Sequence, residues 1–132
     1  MPLEWKDELS CGVAEIDEQH QQVIGLLNSL EQMIAEGIES GPQVDSLLSS
    51  LASDTVAHFS FEEECMLRHN CPAARANENA HALFLEVFTG FQNEIEEQGS
   101  SGALLTRLHK TATDWVVAHI LSVDVQLRPC VH

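Results

Sequence analysis

The sequence predicts an all-α fold: an antiparallel up-down-up-down four-helix bundle with an N-terminal arm. Four long segments carry apolar residues three or four positions apart, the spacing that places side chains on one face of a helix. The links between these segments are short and contain glycine or proline, and no stretch alternates as a strand would. A chain of 132 residues suits one domain with one core, so we expect a single domain spanning residues 1–132.

The N-terminal arm and the first helix come first. Residues 1–16 are predicted to be irregular and to be anchored to the bundle by Trp5 and Val13. Asp17 is a residue type that caps helices, so the first helix is expected to begin near it. Its core face starts with His20 and continues at helical spacing through Val23, Leu27, Leu30 and Ile34.

The second helix is predicted from about residue 43 to about residue 68. Asn70-Cys71-Pro72 ends it, because proline and the residue before it disfavour helical backbone. His58 and Glu62 are four residues apart on its apolar face and therefore lie one above the other. An imidazole and a carboxylate buried in this way are costly unless each has a partner, and a metal ion can serve both.

The third and fourth helices repeat this arrangement. The third is predicted over about residues 73–97, with Asn77 and His81 one turn apart on its apolar face. Gly99 to Gly102 form a loop, and the fourth helix follows over about residues 103–123 with His119 on its core face.

The end of the chain holds a further acidic residue, Asp124, five positions after His119. Five residues rotate an ideal helix by about 500°, so the fourth helix must loosen for both side chains to face one site. Residues 126–132 are predicted to be a short extended end.

The buried polar residues are predicted to meet. They lie near the start of the first and third helices and near the end of the second and fourth, which is one end of an antiparallel bundle. Imidazoles with bridging carboxylates in a bundle core are a familiar way to hold two iron ions. The predicted metal ligands are His20, His58, Glu62, His81, His119 and Asp124.

Composition and charge exclude several classes of partner. The net charge of -15 argues against binding nucleic acid or an anionic membrane surface. No apolar run is long enough to span a membrane, and the N-terminus lacks the pattern of a signal peptide.

The four cysteines contain no C-x-x-C pair, so we expect free thiols and a cytoplasmic location. Cys65, His69 and Cys71 lack a fourth donor and make a poor zinc site.

In these motifs the chain resembles the hemerythrins, specifically the single-domain bacteriohemerythrins. The family pattern is an isolated histidine, then H-x-x-x-E, H-x-x-x-H and H-x-x-x-x-D, which His20, residues 58–62 and residues 119–124 match in order. Trp5 also matches the usual opening. The resemblance implies two carboxylate-bridged, non-heme iron ions. It assigns His20 and His58 to one ion, His81 and His119 to the other, and Glu62 and Asp124 to both.

The chain departs from the family pattern at Asn77, which stands where the first histidine of H-x-x-x-H is expected. Three roles remain open: weak ligation through the amide oxygen, a hydrogen bond to a water ligand, or an open metal position. An amide is a poorer ligand for ferrous iron than imidazole. Glu78 is an alternative ligand if the helix rotates slightly.

The resemblance implies binding of molecular oxygen or another diatomic ligand, as carrier, store or supplier to a protein partner. No nucleophilic catalytic set or phosphate loop is evident, which disfavours a conventional enzyme. The alternatives are an iron-dependent enzyme handling peroxide or nitric oxide through an open position at Asn77, and an oxygen or redox sensor module. The ligand pocket is expected to be lined by Phe59, Phe84, Trp115, Val116 and Ile120.

Overall fold

Four long helices form the body of the protein, as the sequence predicts. The computed structural model describes residues 3–122 and 126–131, with only the backbone described at Arg128 and Val131. This part of the chain is all-α, with a short 3-10 helix in the arm and no strand. The long helices are α1 (Ala14–Ala35), α2 (Pro42–Arg68), α3 (Ala74–Gln98) and α4 (Gly102–Ser122).

The helices pack in a closed ring. α1 contacts α2 and α4, and α3 contacts both of those helices from the other side. The core between them contains fully buried leucines, each of which stabilises the fold by roughly 1.5–3 kcal/mol relative to an exposed position. These are Leu27, Leu30, Leu105 and Leu108.

The end of α2 is defined by a Schellman motif. Asn70 adopts a positive φ of 52°, and the N–H of Cys71 donates to the carbonyl oxygen of Met66 at 2.9 Å. Asparagine tolerates this left-handed conformation better than most residues. The turn brings the buried Cys71 back beneath the end of α2 and starts α3 three residues later.

The prediction that Asp17 caps the first helix is wrong. α1 begins at Ala14, and its N-cap residue is Val13, so Asp17 lies inside the helix. The Asp17 carboxylate accepts hydrogen bonds from the Cys11 N–H at 2.9 Å and the Ser10 hydroxyl at 2.5 Å. It therefore ties the arm to the first turn of the helix instead of ending the helix.

The prediction of an extended C-terminal end is also wrong. Residues Leu127–Val131 form a short helix, α5. Pro129 is compatible with it, because the first N–H groups of a helix have no partner within the helix. Leu127 is fully buried, and its burial supplies a reason for the segment to fold back onto the bundle.

Two of the four cysteines are not the free thiols that the sequence led us to expect. Cys71, after α2, and Cys130, in α5, form a disulfide across 59 residues of sequence. Cys11 and Cys65 are free and buried. The disulfide also removes Cys71 as a thiolate donor, so the weak zinc grouping with Cys65 and His69 does not form.

None of the helices in the described part of the chain is both long and apolar enough to cross a membrane.

Candidate metal centre

The centre of the site is the carboxylate of Glu62, which is completely buried in the last two turns of α2. Its Oε2 atom lies 3.5 Å from Nε2 of His20 and 3.4 Å from Nε2 of His58. Its Oε1 atom lies 3.2 Å from Nε2 of His81 and 3.9 Å from Nε2 of His119. One imidazole pair therefore faces each oxygen of a single carboxylate.

These residues form two groups that could each hold a metal ion. One group is His20, His58 and Glu62, and the other is Glu62, His81 and His119. Within each group the potential ligand atoms lie within 4.8 Å of one another, and all of the residues are buried. The four long helices each contribute, because apolar spacing turns the donor-bearing face of every helix inward.

The donor set fits a cation. Both oxygens of Glu62 are buried, and neither accepts a hydrogen bond of good geometry from the described residues. Nε2 of His81 lies 3.1 Å from Nε2 of His119. Two ligands bound at roughly 2.1 Å and about 90° apart would be about 3.0 Å from each other. The imidazoles of His81 and His119 are thus spaced as ligands of a shared ion would be.

Glu62 remains ionised in this setting. Burial alone would raise the pKa of its carboxyl group, but contacts with the imidazoles outweigh burial and hold the pKa well below its usual value. The imidazoles responsible are those of His119, His20, His58 and His81. The site therefore presents a negative charge among imidazole nitrogens, and carboxylate and imidazole are both ligands that iron binds.

Two residues outside the predicted set orient the imidazoles. Oε1 of Gln19 lies 2.7 Å from Nδ1 of His58, and Oε2 of Glu63 lies 3.4 Å from Nδ1 of His81. An acceptor at Nδ1 favours the tautomer with its proton there, which would leave the Nε2 lone pair available to coordinate a metal ion. Sequence reasoning missed both roles, although each residue directly adjoins a predicted ligand in the chain.

Aromatic rings fix the second imidazole pair. Phe59 stacks on His81 with ring centres 3.7 Å apart, and Trp115 stacks on His119 with ring centres 4.4 Å apart. Phe84 also stacks on Trp115, with ring centres 4.4 Å apart. Flat stacking of this kind restricts rotation of the imidazole rings and supplies apolar walls around them.

The aromatic walls also border a small cavity of about 20 Å³, which has room for roughly one water-sized molecule. All five residues expected to line a ligand pocket surround it: Phe59, Phe84, Trp115, Val116 and Ile120. Three of the imidazoles also reach it, together with apolar side chains such as Val23, Leu27 and Leu51. A small molecule in this space would contact both the apolar wall and the donor set.

Asn77 is part of the same buried group. Its side chain has no exposed surface, and its Oδ1 atom lies 2.9 Å from Nε2 of His119. Its Nδ2 atom is buried and has no hydrogen-bond partner among the described residues. An unsatisfied buried donor of this kind costs about 1–3 kcal/mol.

The remaining positions singled out in the sequence have different outcomes in the structure. Asp124 lies outside the described residues, so its ligand role stays a prediction. Glu78 is half-buried, and none of its described contacts joins it to the donor set. Because they fall off the apolar faces of their helices, the sequence predicts that His69 and His109 face solvent. His69 is exposed, but His109 is mostly buried, with Nε2 3.6 Å from the Glu31 carboxylate, so this prediction is wrong for His109.

Comparison with known proteins agrees with this geometry. The family model described as the hemerythrin HHE cation binding domain matches residues 11–131. The chain belongs to the hemerythrin family. Members of the family bind non-heme iron, and the histidine and glutamate groups of this hemerythrin fit a metal site.

Bacterial relatives align along most of this hemerythrin chain. A bacteriohemerythrin of Stenotrophomonas maltophilia is 28% identical over 123 residues, covering 92% of this chain and 76% of the relative. A bacteriohemerythrin of Pseudomonas aeruginosa is 26% identical over 122 residues, with the same coverage. The crystal structure of a wild-type hemerythrin superimposes with a TM-score of 0.83 over 98% of both chains, at 23% identity, which supports the fold.

Proposed function

We propose that this hemerythrin is a non-heme di-iron protein that binds molecular oxygen for carriage, storage or supply. The observation that carries the proposal is the division of four imidazoles between the two oxygens of Glu62. One ion would be held by His20 and His58, and the other by His81 and His119. Glu62 would bridge the two ions, and we propose Asp124 as the second bridge.

Ferrous ions held in this way would supply electrons to a bound diatomic molecule. The protein's own residues govern access and polarity. The cavity beside the imidazoles is small and mostly apolar, so it favours a small neutral molecule over a hydrated anion. Phe59, Phe84 and Trp115 limit its size, which argues against organic substrates.

A redox enzyme acting on peroxide or nitric oxide is the second candidate, and Asn77 is the observation that favours it. The residue occupies the position of a third imidazole on the His81 and His119 side, yet it presents only an amide. A weaker donor there leaves that side more open to exogenous ligands. The two functions differ in whether ligand binding is reversible.

The ultraviolet-visible spectrum of the iron-loaded protein tests the proposal. Adding oxygen to the ferrous protein should produce new absorption, and removing oxygen should restore the starting spectrum over repeated cycles. Steady-state consumption of peroxide or nitric oxide is measured on the same preparation. Irreversible oxidation of the ferrous protein together with rapid turnover of peroxide or nitric oxide would show that the protein is a redox enzyme and not a reversible oxygen binder.

Replacing Gln19 with leucine should weaken metal binding without changing the ligands. The substitution removes the acceptor 2.7 Å from Nδ1 of His58, so the tautomer with a free Nε2 is no longer favoured. Loss of such a partner typically lowers metal affinity about 10–100-fold. Titration with ferrous iron against a coloured chelator measures the change.

Two matched variants control this experiment. Gln19→Glu keeps an acceptor at the same position and should retain most of the affinity. Gln22→Leu makes the same chemical change at an exposed position of α1 and should have no effect. Equal affinities for Gln19→Leu and Gln22→Leu would show that Gln19 does not orient His58.

A further inference from the structure

The disulfide joins two segments that follow predicted metal ligands or precede them in the sequence. Cys71 follows the turn at the end of α2, ten residues before His81. Cys130 lies in α5, which follows α4 and the predicted ligand Asp124. The closed loop of chain between the two cysteines thus contains His81, His119 and Asp124. The opposite half of the donor set lies outside this loop.

A small second core surrounds the disulfide, and two of its members lie one helical turn from predicted metal ligands. It comprises Cys11, Ile16, Cys65, Met66, Cys71 and Leu127. Ile16 is one helical turn before His20, and Met66 is one turn after Glu62. Leu127 lies three residues after Asp124 and is fully buried in this second core. Residues one turn from His20 and from Glu62 therefore pack together with Leu127 of α5.

α5 depends on the disulfide for its position more than a long helix would. It has five residues, whereas isolated helices shorter than about 12–15 residues are marginal in water. Among the described residues, the burial of Leu127 and the bond from Cys130 to Cys71 help to hold it. Without the covalent bond, α5 should open more often.

We propose that the Cys71–Cys130 disulfide is a redox-controlled clamp on metal retention. The inference rests on the proposed function, because it presumes that the site holds iron. In the oxidised form, the clamp keeps α5 against the second core. In the reduced form, α5 separates more readily from the second core at the end of α2, so iron escapes faster.

The redox step is an ordinary thiol–disulfide exchange. The thiolate form of a low-molecular-weight thiol such as glutathione attacks the half-buried sulfur of Cys130. The S–S bond to Cys71 breaks, and a mixed disulfide forms at Cys130. A second molecule of the thiol then attacks the mixed disulfide and releases Cys130. Cys71 and Cys130 then gain two electrons and two protons as thiols, and the two reductant molecules become one disulfide. Burial raises the pKa of the neighbouring Cys11 thiol, which keeps it protonated and out of the exchange.

The test is the rate at which the iron-loaded protein loses iron to a coloured ferrous chelator, without oxygen. Oxidised protein is compared with protein reduced by dithiothreitol that is then removed, and with the Cys71→Ser/Cys130→Ser double variant. We expect both open forms to lose iron on the order of tenfold faster, because the cross-link no longer restrains the chain. Cys65→Ala, which removes a thiol from the same second core, should behave like the oxidised parent.

Hydrogen exchange of α5 and the end of α4 in iron-free protein is measured in the same three forms. Faster exchange in both open forms supports the clamp, even if the chain proves unable to bind iron. Equal exchange, equal rates of iron loss, or a mass showing no disulfide in the oxidised protein would overturn it. Failure to bind iron in every form would instead refute the proposed function.

Discussion

Replacing Glu62 with alanine should abolish the paired metal site instead of weakening it. Glu62 faces all four imidazoles, with one pair at each oxygen, so its loss removes the only described carboxylate common to both groups. We expect iron content to fall from two ions per chain to less than one, and the oxygen-dependent absorption to disappear. Metal analysis after gel filtration, together with the spectrum, measures both effects.

The matched control for this change is Glu64→Ala, which removes an exposed carboxylate two residues further along α2. Alanine favours the helix in both variants, so circular dichroism should show the same helix content. The corresponding change Asp124→Ala should also lose the paired site. If the Glu62→Ala protein keeps two irons and an unchanged spectrum, Glu62 does not bridge the two ions.

Replacing Asn77 with histidine should strengthen iron retention on the His81 and His119 side. Asn77 is fully buried one turn before His81, and its Oδ1 is 2.9 Å from Nε2 of His119, so it already faces the donors. An imidazole is a better ligand for ferrous iron than an amide oxygen. We expect iron loss to a chelator to slow by about tenfold or more, equivalent to about 1.4 kcal/mol.

The same variant should accept azide less readily and keep its oxygen-dependent absorption for longer. Its iron-free form should be destabilised by about 1–3 kcal/mol, because a larger ring enters a packed core. Asn79→His places the same substitution at an exposed position on α3 and serves as the control. If Asn77→His and the parent lose iron at the same rate, Asn77 is a spectator or a water already completes the site.

Periodicity explains why the long helices and their inward faces could be predicted. The spacing that buries Leu27 and Leu30 also buries His20, and a similar pattern places Glu62 in the core. Antiparallel order then brings donors from the four helices to one end of the bundle. These inferences need only local spacing and short links, which the sequence contains.

Features that depend on contacts between residues distant in the sequence could not be predicted from local spacing. The Cys71–Cys130 bond spans 59 residues and has no motif, and α5 is too short to produce a periodic signal. The role of Gln19 depends on a 2.7 Å contact with another helix. The domain span 1–132, the cytoplasmic setting and an oxygen-receiving protein partner remain predictions.

The measurement that tests the central claim most directly is a titration of iron-free protein with ferrous iron in the absence of oxygen. Because separate imidazole pairs face the two oxygens of Glu62, binding should saturate at two ions per chain. The oxygen-dependent absorption should grow only as the second ion binds. Saturation at one ion, or binding that is unchanged in Glu62→Ala, would contradict a di-iron centre built around this carboxylate.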